Sequence, residues 1–298
     1  MKKLFFLSVM LTAAMAASAQ MKIAPKMEKG MTRVYNEVVT TAIPGQKEVN
    51  IITDQKYTVT EATANGYVVD VEIAAFKSDA TPDNIAGQLL SGAAELMKDL
   101  NVRVATDKDG KAEKIVNYDE LKPRIDKMAD QLVEKLYQAI PQLSQMLPKE
   151  PLKQELTGGV SEEKLLQSFQ HATSVMALNG KTVMTGAQEE YVNEQEMKMK
   201  RMYFVNGKNI VTNSSLNMSN DELKALIIAQ VEKAAPDQAE MIKQNIDTLM
   251  KSGMLKMDVK ETATYDLQDD GWVKAVTVDT TLETMGQTTK SHTVITCK

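Results

Sequence analysis

Apolar and polar positions follow two distinct periods along this chain of 298 residues. From Asp119 to Leu147 the apolar residues are Leu121, Ile125, Met128, Leu132, Leu136, Ile140, Leu143 and Leu147, each three or four positions after the last. That spacing sets them on one stripe of an α-helix, with Lys, Asp, Glu and Gln around the rest. Burying one such side chain is worth roughly 1.5–3 kcal/mol, so the stripe must pack against something. Pro141 lies within it and predicts a kink or break near Ala139, and Pro148 and Pro151 end it. A second helix is expected over Asn84 to Leu100, with Ile85, Leu89, Ala93, Leu96 and Leu100 on one face and Gly87 and Gly92 weakening it. Ser161 caps a short helix carrying Leu165, Leu166 and Phe169. Ser219 and Glu222 form a capping box before Leu223, Leu226, Ile227 and Val231. Pro236 opens a further helix through Met241, Ile242, Ile246, Leu249 and Met250.

The remaining signal has period two. Met31 to Thr41 reads as a strand ended by Pro44-Gly45. Val49 to Glu61 and the return strand Tyr67, Val69, Val71, Ile73 flank Asn65-Gly66, a hairpin turn in which both residues tolerate positive φ. A hairpin of Val102 to Thr106 and Lys114 to Asn117 follows about Asp107-Lys108-Asp109-Gly110, and others about Asn206-Gly207 and Asp269-Asp270-Gly271. Strands are expected from Thr173 onward, through Lys181 to Met184 and Glu189 to Val192, and Gln287 to Thr296 is the last. Hairpins imply antiparallel pairing, and no regular strand–helix alternation points to a parallel sheet. The expected fold is therefore α+β: a long curved antiparallel sheet built of hairpins, with amphipathic helices on one face and a Thr- and Lys-rich wet face opposite.

One sequence echo bears on organisation. Asp109-Gly110, Ile115-Val116 and Asp119-Glu120-Leu121-Lys122 are matched by Asn206-Gly207, Ile210-Val211 and Asp221-Glu222-Leu223-Lys224. Either a single domain over 20–298 contains two pseudo-equivalent halves, 20–157 and 160–298, joined at Thr157-Gly158-Gly159, or hairpin and cap chemistry recurs by itself.

Residues 1–19 read as a signal peptide: basic Lys2 and Lys3, an apolar run from Leu4 to Ala16, then Ala17-Ser18-Ala19. That run is shorter than the roughly 20 residues a bilayer requires, and no other apolar run reaches that length. A mature chain that is exported, periplasmic or secreted, and without a transmembrane segment is expected. No cysteine stands at the cleavage site to carry a lipid anchor. Net charge is −5 and becomes more negative once Lys2 and Lys3 leave, with no basic cluster, which argues against nucleic acid as a partner. The single cysteine, Cys297, rules out an intrachain disulfide.

Candidate chemistry is sparse. Two histidines, His171 and His292, leave little for zinc ligation or His-driven acid–base work. No nucleophile motif occurs. Asp107-x-Asp109-Gly110 is a fragment of a calcium loop without the later acids. Glu189, Glu190, Glu194 and Glu196 could host paired carboxylates, but a single Trp leaves little to stack a sugar ring. No cofactor or metal is expected. Twenty methionines are the unusual component. Met197 and Met199 share one strand face, with Met202 opposite, so core or groove lining outweighs a copper site. Thioethers suit a groove that accepts varied apolar partners as well as plain core filling. On that basis Met128, Leu132, Leu136, Met241, Met250 and Met254 are the candidate apolar ligand lining.

The leader ending Ala17-Ser18-Ala19-Gln20, the Lys29-Gly30-Met31 strand entry and the Tyr57 to Val71 hairpin about Asn65-Gly66 carry a resemblance. So do Asp107-Lys108-Asp109-Gly110 before a long helix ending Leu147-Pro148, and the Gly271-Trp272 hairpin. Together they resemble a family of uncharacterised exported proteins of Bacteroidota, over most of the mature chain. The resemblance implies export and an α+β fold, and transfers no catalytic residue. Asp247-Thr248-Leu249 and Asp279-Thr280-Thr281 are similar to the Asp-Thr-apolar O-glycosylation pattern of that group, which makes Thr248 and Thr280 candidate acceptors. Two function classes follow: a non-catalytic binding or carrier protein for an apolar small molecule such as a lipid, or a structural or protein-interaction module of the cell envelope with no small-molecule ligand. A hydrolase using Glu189 and Glu190 trails both.

Overall fold

The computed structural model describes residues 20–298 except 43, 46, 81–99, 140–148, 159, 194, 235, 253–254 and 285. The leader, residues 84–99 of the helix expected over Asn84 to Leu100, Pro141 and the end of the long stripe (Ile140, Leu143, Leu147) lie outside the described residues.

The dominant element is one open, curved, antiparallel sheet of eleven strands. Its strands are β2 (Thr32–Ala42), β3 (Val49–Thr63), β4 (Gly66–Ser78), β5 (Asn101–Asp107), β6 (Ala112–Ile115), β8 (Gln188–Val192), β9 (Lys198–Asn206), β10 (Asn209–Leu216), β11 (Met257–Leu267), β12 (Val273–Thr284) and β13 (Gln287–Cys297). The order is β6-β5-β4-β3-β2-β13-β12-β11-β10-β9-β8, so two meanders meet where β13 pairs with β2. Two short strands, β1 (Met21–Lys22) and β7 (Thr182–Val183), pair separately. The described helices are α1 (Tyr118–Ala139), α2 (Lys149–Gly158), α3 (Glu162–Gln170), α4 (Asn220–Ala234) and α5 (Pro236–Lys251).

Alternation decides which face is covered. On β3, Val49, Thr53, Tyr57 and Val59 are buried while their neighbours stay in partial contact with water. Tyr35, Val69, Val104, Tyr265, Val276 and Ile295 extend that buried inner face across the sheet. Leu121 and Ile125 from the first half of α1 pack on it, as do Leu165 and Phe169 of α3. Ser161 caps α3, its hydroxyl accepting from the Lys164 amide at 3.3 Å. The capping box before α4 also forms, with Glu222 Oε2 accepting from the Ser219 amide at 2.9 Å.

Three local expectations are corrected. Pro151 does not end a helix; it sits in the first turn of α2, where the missing N–H has no intrahelical partner to lose. The second strand of the Asp107 hairpin is Ala112–Ile115 rather than 114–117, because Asn117 turns out to seal the edge: its side chain accepts from the Arg103 amide at 2.9 Å and donates to the Asn101 carbonyl at 2.8 Å. The residues after His171 do not begin a strand. They form successive tight turns from His171 to Lys181, and Ala172, Val175, Met176, Ala177 and Leu178 are buried in the main core. A short apolar run that is buried on all sides carries no period, so neither template fits it.

The N-terminal residues 23–31 close one end of the molecule. Ile23 donates to the Lys181 carbonyl at 2.9 Å and Gly180 to the Ile23 carbonyl at 2.8 Å, while Trp272 Nε1 donates to the Lys26 carbonyl at 2.7 Å.

Gly66 begins β4 at φ +155, and a Cβ there would overlap the Thr106 carbonyl on β5. Gly207 also has positive φ (+57) but open space around it. Gly66→Ala should therefore lower unfolding free energy by about 3 kcal/mol or more, against about 1 kcal/mol for Gly207→Ala; urea denaturation of both variants measures the difference.

Candidate functional site

Residues directly opposite on neighbouring antiparallel strands point to the same side, so the register defines rows across the inner face. One row is polar from end to end: Thr41, Ser291, Thr280, Glu261, Ser214, Arg201 and Glu189, one residue from each of seven adjacent strands. The row beside it toward the core, Val39, Thr293, Val278, Ala263, Thr212 and Tyr203, is largely apolar. The Glu37 row begins with Glu37, Ile295, Val276 and Tyr265.

The polar row ends in a buried charge network. Arg201 is 2% exposed. Its Nη1 donates to Glu189 Oε1 at 3.2 Å, its Nε to Ser214 Oγ at 3.2 Å, and Nη2 lies 3.8 Å from Glu261 Oε1. The guanidinium stacks 4.3 Å from the Tyr191 ring centroid. Lys181 Nζ donates to both oxygens of Glu189, at 2.7 and 3.0 Å. His171 Nε2 lies 3.5 Å from Glu261 Oε2. Burial pushes Glu189 up, but the contacts of Lys181, Tyr203 and Arg201 outweigh it and hold the carboxyl below its ordinary range. Burial holds Lys181 below the usual lysine value despite Glu189. Charge therefore balances within the network. Beside it lies a cavity of about 280 Å³ lined by Lys111, Gln167, His171, Asn179, Lys181 and Glu189 among others.

A second place differs in kind. On the first meander Val39, Ile51, Ile73 and Phe76 lie on the inner face of β2, β3 and β4, and all four are only half-buried. Glu37 sits among them. Its Oε2 accepts from Thr53 Oγ1 at 2.9 Å and Gln55 Nε2 at 2.6 Å, and Tyr57 OH donates to Gln55 Oε1 at 2.8 Å. Among the described residues no Lys, Arg or His pairs with Glu37, and its Oε1 takes no hydrogen bond. Burial raises its pKa in spite of the two donors.

The residues expected to line an apolar site do not converge. Leu132 and Leu136 are buried along α1, and Met128 is half-buried against the main core. Met250 borders a separate cleft of about 360 Å³ between α4, α5 and the start of β11. Met241 is 59% exposed, and Met254 lies outside the described residues. Thr248 is exposed on α5, whereas Thr280 is half-buried in the polar row opposite Glu261. Glu189 faces Arg201 and its neighbour Glu190 accepts from Asn217 at 3.1 Å. Sequence reasoning passed over Glu37 and Arg201. The signal was a charge at an apolar step of an alternating strand: Arg201 between Met199 and Tyr203, Glu37 between Tyr35 and Val39.

No family model and no curated protein matches the chain. Among solved structures it is similar to lipovitellin, in a study of that protein's lipid–protein interactions, at 8% identity and TM-score 0.40, over 92% of this chain and 25% of that one. It is also similar to DynF of the dynemicin biosynthesis pathway of Micromonospora chersina, at 8% identity and TM-score 0.18, over 94% and 86%. The chain spans a quarter of the lipovitellin chain. Neither likeness bears on what this chain binds.

Two outcomes follow from the charges. Removing Arg201 leaves Glu261, 6% exposed, without its cation. Arg201→Ala should lower unfolding free energy by about 3–5 kcal/mol, and adding Glu261→Gln should recover part of it in a double-mutant cycle. Glu37 behaves oppositely. Its folded pKa is raised, so folding takes up a proton between the unfolded and folded values, and the ionised carboxylate costs stability at neutral pH. Glu37→Gln should therefore be more stable than the parent at pH 7. The gap should close as pH falls from 7 toward the ordinary glutamate value of 4.5 and stay closed below it, as urea midpoints measured across that range would show.

Proposed function

We propose that this protein is an exported, non-catalytic binding protein that carries an apolar ligand, such as a lipid, against the inner face of its sheet. The observation that supports this is the half-buried patch of Val39, Ile51, Ile73 and Phe76, an apolar surface on three adjacent strands that the core leaves partly uncovered. Ligand sites combine such a surface with a small number of placed polar groups. Support for the non-catalytic part comes from Glu189, held ionised and paired by Lys181 and Arg201, which suits it to neither general acid nor general base work. Export rests on the leader pattern of residues 1–19.

Native mass spectrometry of the protein purified from its own envelope, with organic extraction of bound species, tests the proposal. A near-stoichiometric apolar compound is expected, with occupancy lowered about tenfold in Phe76→Ala through loss of one aromatic contact surface. A bare polypeptide mass, together with no fluorescence gain from N-phenyl-1-naphthylamine, overturns it and leaves the envelope interaction module.

A further inference from the structure

We propose that Glu37 anchors the polar end of the ligand, and that the ligand class is an amphiphile bearing a protonated amine; this rests on the binding function proposed above. Glu37 stands in an apolar setting, flanked along its strand by Tyr35 and Val39 and across the sheet by Ile295, with Phe76 one strand beyond Thr53. Both protein hydrogen bonds converge on Oε2, from Thr53 and Gln55, which fixes the carboxylate with Oε1 left over. Gln55 is itself held by Tyr57, so the group is oriented through two successive side chains.

A carboxylate in that position is a strong acceptor without a donor on one oxygen and without a counter-charge among the described residues. An ammonium supplies both at once, in a charge-assisted bond stronger than a neutral one. An anionic head has no equivalent place. Like charge repels it from Glu37, and the inner-face cations Arg33 and Arg201, with Lys181 beside them, are already paired with Asp270, Glu189 and Glu261. The alkyl body would lie on Val39, Ile51, Ile73 and Phe76. Burial disfavours the bare carboxylate, and a bound cation removes that penalty.

The test is displacement of N-phenyl-1-naphthylamine, a neutral apolar probe, by decylamine and by decanoate below their micellar concentrations. With the parent protein, decylamine should displace the probe at about tenfold lower concentration than decanoate. In Glu37→Gln, which should fold at least as well as the parent, the probe should still bind and the two competitors should fall within about twofold of each other. Equal competition in the parent, or an amine preference that survives Glu37→Gln, overturns the anchor while the binding function stands. Failure of the parent to bind the probe at all overturns both.

Discussion

An eleven-stranded sheet that curves without closing has two unpaired edges and one apolar face to cover, and the contacts that meet those needs hold the molecule together. The segment from α3 through β7 reaches both edges and the floor between them. Gln170 Nε2 donates to the Ala112 carbonyl on edge strand β6 at 3.1 Å. At the other edge Lys181 grips Glu189 of β8. Between them Tyr265 OH donates to the Ala172 carbonyl at 2.9 Å, drawing the turns of 172–178 onto the sheet floor. Leu178, 1% exposed, fills the space beneath. Irregular backbone is rarely buried, because its amides lose water without a ladder to replace it. Here each tight turn bonds to the next, with Ser174 donating to His171, Ala177 to Ser174 and Asn179 to Met176.

The seam explains why charges sit where an apolar core would be simpler. Lys181 comes from the sealing segment and Glu189 and Arg201 from the sheet, so their contacts fix the position of one against the other. Hydrophobic packing alone is tolerant of sliding, whereas a guanidinium shared among Glu189, Ser214 and Glu261 and stacked on Tyr191 accepts one arrangement. Such a network adds little net stability over an apolar equivalent, but breaking it is expensive. Its groups satisfy one another. That makes the network a locating device.

The strands and turns were legible because local chemistry dictates them. Alternation at Val49 to Val59, the hairpins near the Asn-Gly and Asp-Gly pairs, and the caps at Ser161 and Ser219 all reappear in the structure, although the loops shift by one residue to Ala64-Asn65 and Gly207-Lys208, with Gly66 and Asn206 taken into their strands. What was not legible depended on long-range pairing. The stretch 171–181 has no period to read, since its side chains are buried on every side. Strands β1 and β7 are two residues each and exist only through pairing across more than 150 positions. The polar row is likewise invisible along the chain. Thr41, Glu261 and Arg201 fall into one row only when the register aligns seven strands. Methionine content suggested a groove, yet Met128, Met241 and Met250 went to three different surroundings, because a flexible thioether fits wherever a gap occurs.

Glu37 is the place where local rules and the final structure part company in an informative way. Its position in the β2 alternation belongs to the inward set, between buried Tyr35 and half-buried Val39, and an apolar residue there would extend the core. Instead an ionisable group stands on the inner face with hydrogen bonds but no opposite charge among the described residues, which raises the energy of its charged form. The Arg201 network differs on this count: its carboxylates are equally inward, and each has a cation within 4 Å. Two inward carboxylate settings on one sheet thus differ in electrostatic character: Glu189 and Glu261 are matched by cations, whereas Glu37 is held, among the described residues, by the neutral donors Thr53 and Gln55. An ionisable group held by neutral donors beside a partly uncovered apolar patch departs from the packing that the rest of the inner face follows, and the proposed binding role rests on that departure.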